Sequence, residues 1–428
     1  MVTDTQSVLE LIDKETVKKL LVDLVDISSP TGEEAAMARY LHERFQSVGL
    51  KSFLQEADAE RYNVVGMVEG DGTGLSLMFN GHLDTTFTGR EKIGLKSGSG
   101  LLPTASLGSK ALVEGDRIYG LGSTNMKGGL AAFIIAAEAI KKAGLSLKGD
   151  LIVAGVIGEI IMAAVDEYQE ARLRGYTRGT HYLVTHGVTA DMAIVAEPTG
   201  CRIMLGHLGP QWVKISTYGV SVNTVEAEKM ISAFDRMLRV MIGLKKWIPA
   251  YQEKMVNRYP DMKTRPALRI GGLNGGTPWR LARPAGICSV YLDIRTKQPA
   301  AELKREIKQF LNGLKDEARN EDPDFDADID VYLSQPGAEV PENHDLVKVM
   351  ERAHAAINQG PALKYHSAID SDASVLTAFG IPAVNYGPRP LDTSTRVGAR
   401  EYQNINDVVN AAKVFAVAAI DICNQAAS

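Results

Sequence analysis

Apolar and polar positions follow two periods along the chain. Helical spacing covers 15–27 and 33–48, then yields to short apolar stretches, NVVGMVE at 63–69 and LSLMFNGHLD at 75–84, which predict strands. The exchange continues with a helix at 127–143, a strand in DLIVAGVIGEI (150–160), a helix at 162–175 and a strand in ADMAIVAEPT (190–199). This alternation predicts an α/β domain, in which polar residues just past the strands line the ligand crevice.

From about 206 the texture changes. Strands in QWVKISTYGVS, ALRIGGLNGG and GICSVYLDIRTKQP accompany helices at 224–243 and 299–319, predicting a compact α+β insert. A helix at 345–358, a strand in IPAVNYGPRP and a helix at 406–424 then resume the first pattern. The expected organisation is one domain in two parts, 1–205 and 333–428, interrupted by the insert at 206–332. The Gly/Ser-rich stretch 90–115 reads as a surface loop.

Composition narrows the function classes. The 428 residues carry 47 Lys plus Arg against 52 Asp plus Glu, a net charge of −5, so no basic field draws nucleic acid. Cys201, Cys288 and Cys423 are odd in number, widely spaced and outside any CxxC pattern, which indicates neither a disulfide framework nor a thiolate zinc site. The first residues lack the basic start and apolar run of a secretion signal, and the longest apolar stretch, GGLAAFIIAAEAI, is broken by Glu138. A cytoplasmic protein without a membrane partner is the expectation.

Candidate chemistry starts at FNGHLDTT, where His82 follows an apolar strand and Asp84 lies two residues on, a pairing in which an imidazole binds metal and a carboxylate orients it. Four further segments follow in order: GLGSTNMKGG, GVIGEI, IVAEPTG, and NYGPRP with GAREYQNINDV. Together they resemble the co-catalytic metallopeptidase family of aminoacylases, carboxypeptidase G and succinyl-diaminopimelate desuccinylase. The insert, notably GGTPWRLARPAGICSVYLDIR, resembles that family's lid or dimerisation domain.

The resemblance implies a mixed-sheet α/β catalytic domain sandwiched by helices, with a smaller α+β lid. It implies His82 as first metal ligand, Glu159 as general base and Glu197 as a further ligand; Asp84, from its place two residues after His82, is expected as a catalytic supporting residue. Three family positions are substituted. The bridging aspartate falls on Asn125, the glutamate after the base on Ile160, and the last histidine, four residues before Glu401, on Val397. Both private ligands of the second ion are thereby lost, while an amide oxygen of Asn125 still serves one metal. The expectation is one divalent ion, Mn, Zn, Co or Fe, on His82, Asn125 and Glu197.

In the lid, Asn223 takes the place of a histidine that stabilises the oxyanion, and Arg295 matches the arginine that grips a substrate carboxylate. Arg280 and Arg283 beside Trp279, with His207, complete the candidate substrate residues; His366 has no assigned role, and Asp372 matches an aspartate that supports the site. The losses fit a substrate that carries its own electron sink. They resemble a divergent branch of the family that replaces the amine of a nitro-activated aromatic carboxylate, such as 5-nitroanthranilate, with hydroxyl, releasing ammonia and the nitrosalicylate. The alternatives are a single-metal amidohydrolase of N-acyl amino acids and a non-catalytic binding homologue. The expected partners are a small aromatic carboxylate and further copies of the chain through the lid.

Overall fold

A computed structural model of the chain describes residues 2–86, 110–260, 263–390 and 401–427. It divides into two compact units, Met1–Gly206 with Ala338–His366 and Ser371–Ser428, and His207–Gly337 with Ser367–Asp370. Residues 87–109, which hold most of the Gly/Ser-rich stretch, and Val397 lie outside the described residues.

The first unit is built on a mixed sheet of nine strands. Its order is Lys51–Asp58, Arg61–Val68, Leu151–Val156, Leu77–His82, Met192–Val195, Ala383–Asn385, Ile203–His207 and Ala338–Glu339, with Lys364–Ser367 also pairing Ile203–His207. Leu77–His82 runs parallel to both of its neighbours, and Ala383–Asn385 runs parallel to Met192–Val195. All six residues of Leu77–His82 and of Leu151–Val156 are buried, which explains why these strands read as continuous apolar runs rather than alternating ones.

Successive side chains nonetheless divide between two layers. Leu77, Phe79, Leu151 and Val153 join the core under helices Lys14–Asp26, Gly128–Lys142 and Ile405–Cys423, whereas Met78, Ile152 and Ala154 join a core with Leu183, Val184, Val375 and Leu376. Helices therefore cover both faces, and the sandwiched mixed sheet predicted from the sequence is present. Among the described residues, no helix is long and apolar enough to cross a membrane.

The second unit is a four-stranded antiparallel sheet, Ala267–Gly275, Ile287–Thr296, Gly209–Tyr218 and Ala327–Ser334. Helices Ala233–Arg258 and Ala300–Ala318 bury Val240, Leu244, Ile307 and Leu311 against Val213, Ile215, Val290 and Leu292.

Several predicted elements shift. Apart from a single 3₁₀ turn at Ala171–Leu173, the segment 162–175 is not helical: Val165 and Tyr168 form a bridge, Gly175 N–H donates to Met162 O and Tyr176 N–H to Ile160 O. Tertiary bonds override its helical composition, because Arg61 donates to Arg174 O at 2.8 Å and Arg178 pairs with Asp58 at 3.0 Å. The helix lies instead at Arg178–Thr185. Likewise Thr224–Lys229 is a short 3₁₀ turn, and the long helix starts only at Ala233, where the Ser232 hydroxyl accepts from Asp235 N–H at 3.0 Å. The strand in IPAVNYGPRP shrinks to Ala383–Asn385, since the two prolines that follow Gly387 cannot donate to a ladder.

Candidate metal centre

Three neighbouring parallel strands end at the same edge of the sheet, and each delivers one polar residue there. His82 closes Leu77–His82, Glu159 follows Leu151–Val156, and Glu197 follows Met192–Val195. The turn to Glu159 passes through Gly158 at φ +59, where a Cβ would meet the Arg61 guanidinium at 2.7 Å, so only glycine fits. Donor atoms of His82, Glu159 and Glu197 all lie within 4.8 Å of one another.

The imidazole is oriented from behind. His82 Nδ1 donates to the Asp84 carbonyl oxygen at 2.8 Å, which turns Nε2 toward the cluster. Nε2 lies 3.2 Å from Asn125 Oδ1, 3.7 Å from Glu159 Oε2 and 3.9 Å from Glu197 Oε1. Burial works against a charged ring, but the Asp84 bond and the charges of Glu159 and Glu197 outweigh it and lift His82 well above its ordinary pKa. The same carboxylates that hold a proton there favour a cation, and imidazole nitrogen with carboxylate and amide oxygen suits zinc, manganese, iron or cobalt.

Asp84 supports the base. Its carboxylate accepts from the backbone N–H of Glu159 at 3.1 Å and of Ile160 at 3.2 Å, and from the Thr31 hydroxyl at 2.7 Å. Burial opposes its charge, yet the bonds with His82, Thr31 and the Glu159 amide hold it below the usual carboxylate range. Thr31 carries no motif, and only the folded chain brings it 53 residues to Asp84. Asp372 is buried beside this group, and burial pushes its carboxyl up to about 8. Ile160 offers the cluster no donor atom.

The five remaining candidates belong to the second unit. Arg295 donates to Asp293 at 2.9 and 3.2 Å and also to Asp370. The Asn223 side chain accepts from Val225 N–H at 3.2 Å, capping the 3₁₀ turn. Arg280 and Arg283 are exposed in the turn that carries Trp279, which is 86% exposed. His207 is buried, its Nδ1 donating to Leu208 O at 3.1 Å, and burial holds it below the ordinary histidine pKa. His366, in the first unit, lies 3.8 Å from Glu339. The structure thus gathers His82, Asp84, Asn125, Glu159 and Glu197 in one place.

A mixed sheet with a histidine and two glutamates at its parallel strand ends forms a candidate centre for a divalent ion. Residues 78–421 match Peptidase family M20/M25/M40, and the chain belongs to that family. It is 28% identical over 214 residues to a probable succinyl-diaminopimelate desuccinylase of Staphylococcus aureus strain Mu50, covering 50% of this chain and 47% of that relative. The chain therefore matches about half the length of that protein. It is also 24% identical over 414 residues to an N-formyl-4-amino-5-aminomethyl-2-methylpyrimidine deformylase of Halalkalibacterium halodurans, covering 90% of each. The crystal structure of a tripeptidase from Staphylococcus aureus Mu50 superposes with a TM-score of 0.69 at 19% identity, covering 97% of this chain and 99% of that one, which shows a common fold.

Proposed function

We propose that the chain is a single-metal hydrolase of carbon–nitrogen bonds. The observation that carries this reading is the cluster of His82, Glu159 and Glu197 donor atoms within 4.8 Å, joined by Asn125 Oδ1. His82, Asn125 and Glu197 would hold the ion. Glu159 is kept as the base because its backbone N–H, and that of Ile160 after it, are fixed by Asp84 at 3.1 and 3.2 Å, which holds its carboxylate beside the site. A divalent ion, when bound, supplies Lewis-acid polarisation of oxygen and lets water lose a proton near neutral pH.

Glu159 takes a proton from the attacking water and returns it to the departing nitrogen, while Asp84 keeps the Glu159 turn and the His82 ring in place. Asn125 is neutral, and Ile160 and Val397 cannot bind a cation, so one ion per chain is expected. The relatives named above are a desuccinylase and a deformylase, which supports hydrolysis of N-acyl substrates to an acid and a free amine. A second reading rests on Ile160, which falls where the family resemblance implies a glutamate for a second ion, so charge on a tetrahedral oxyanion would lack a second cation. Deamination of a nitro-activated aromatic carboxylate spreads that charge into the ring, Ar–NH₂ plus H₂O giving Ar–OH plus NH₃.

Purified protein with added Mn²⁺ should release free amine from N-formyl, N-acetyl or N-succinyl amino acids, or ammonia from 5-nitroanthranilate; whichever product forms selects the substrate class. Turnover of neither class with any divalent metal would end both readings, and two tightly bound ions per chain would end the single-metal assignment. Self-association through the second unit is also proposed, since Phe234, Leu238 and Ile242 repeat every four residues on an exposed helix face. Sedimentation of Leu238→Glu should then show a smaller species than wild type.

A further inference from the structure

The Asn125 turn is not held by its own helix. Asn125 (φ −116, ψ 97) and Met126 (φ −129, ψ 31) depart from helical geometry just before Gly128–Lys142 begins; Ser123, Lys127 and Gly128 N–H bond within the turn, but those of Gly122, Thr124 and Asn125 take a partner from elsewhere. Glu401 provides them. Its carboxylate accepts from Gly122 N–H at 3.0 Å, Thr124 N–H at 3.0 Å and Asn125 N–H at 3.1 Å, across 276 or more residues of sequence.

Neighbours of Glu401 extend the contact. The Thr124 hydroxyl donates to Tyr402 O at 2.6 Å, Gly120 N–H donates to Glu401 O at 3.2 Å, and Tyr402–Asn404 pairs as a strand with Arg117–Tyr119. Gln403 donates to Pro388 O at 3.0 Å, and its amide leaves no room for a Cβ on Gly128, which would approach it to 2.6 Å. The segment 401–404 thus grips the turn, the helix start behind it, and the loop after Ala383–Asn385. Lys127, buried with its ammonium donating to Ile27 O at 2.8 Å, places a positive charge in the same turn.

Resting on the metal-site reading above, we infer that Glu401 is a positioning residue for the ion: by binding three backbone N–H groups of the 122–125 turn, it aims the Asn125 side-chain oxygen at the point facing His82 Nε2. A rigid carboxylate anchor matters more for a neutral amide ligand than for a charged one, because the ion pulls an amide into place less strongly. Loss of the anchor lets the turn move while the fold around it persists.

The test is Mn²⁺ affinity by titration calorimetry together with the Mn²⁺ electron paramagnetic resonance spectrum, on the full chain. Glu401→Gln keeps shape and one acceptor oxygen and should weaken Mn²⁺ binding by about 10-fold, Glu401→Ala by about 100-fold, with an altered spectrum in both. Asp13→Ala, which removes a helix cap at Thr16 N–H (2.9 Å), serves as a destabilised control and should keep wild-type affinity. Amide exchange at 122, 124 and 125 should quicken in the metal-free Glu401 variants. Wild-type affinity and spectrum in a folded Glu401→Gln and Glu401→Ala, with binding abolished in His82→Ala, would overturn the role of Glu401 alone. Mn²⁺ binding unaffected by His82→Ala would instead overturn the metal site, and the proposal with it.

Discussion

At the scale of single residues, the centre depends on groups whose charge is set by burial and by a few close partners. Glu159 has one proposed task, moving a proton, so Glu159→Gln should lower kcat by about 100- to 10,000-fold while Mn²⁺ affinity measured by calorimetry stays near wild type. Loss of metal binding in step with kcat would show that Glu159 is a ligand instead. His207 gives a prediction for stability. Burial depresses its folded pKa, so the unfolded chain binds the extra proton first; its contribution is fully present above about 6.5 and is lost as pH falls through the lower folded value. The thermal midpoint of wild type should therefore drop more between pH 7 and pH 5 than that of His207→Gln, and equal drops would refute the assignment.

At the scale of elements, close approach of a helix to a strand end sets the geometry. Gly129 sits in the first turn of Gly128–Lys142, and a Cβ there would come within 2.0 Å of Ala196 O, the residue before Glu197. Helix propensity alone favours Gly129→Ala by about 1 kcal/mol. The overlap outweighs it, because separating the backbones of two packed elements costs about 1–3 kcal/mol or more. Gly129→Ala should lower the thermal midpoint and weaken Mn²⁺ binding together, since the displaced strand end carries a ligand. A variant of wild-type stability with wild-type affinity would contradict the packing argument. The KGG of GLGSTNMKGG thus has a physical reason: it lets the helix start against the strand end that presents Glu197.

At the scale of the whole molecule, two units with separate cores need not unfold together. All three tryptophans, Trp212, Trp247 and Trp279, lie in His207–Gly337, whereas every proposed metal ligand lies in the other unit. Mn²⁺ at about 100 times its Kd should stabilise the unit that binds it by about 2.7 kcal/mol. Calorimetry should show that transition moving upward while tryptophan fluorescence reports a second transition that stays in place. Coincident shifts by both probes would show that the units unfold as one.

The hydrophobic pattern by itself determined the α/β class and the interruption by an α+β insert, because helical and strand spacing alternate up to about 206 and again after the insert; the parallel direction of the buried strands came from the structure. Motif order also placed His82, Glu159 and Glu197 at strand ends, where a parallel sheet presents its ligands. It did not determine 162–175, whose helical composition yields to the Arg61 and Asp58 contacts at its C-terminal side, on Arg174 and Arg178. Nor did it reveal what Thr31 and Glu401 do, since each acts on a partner 53 or more residues away; Thr31 stands in no motif, and the spacing that matches Glu401 to a family glutamate says nothing of its contact. Only tertiary structure decided that Asn125 faces His82, because the orientation of that turn is fixed by backbone N–H groups meeting a distant carboxylate, and local sequence does not encode such a contact.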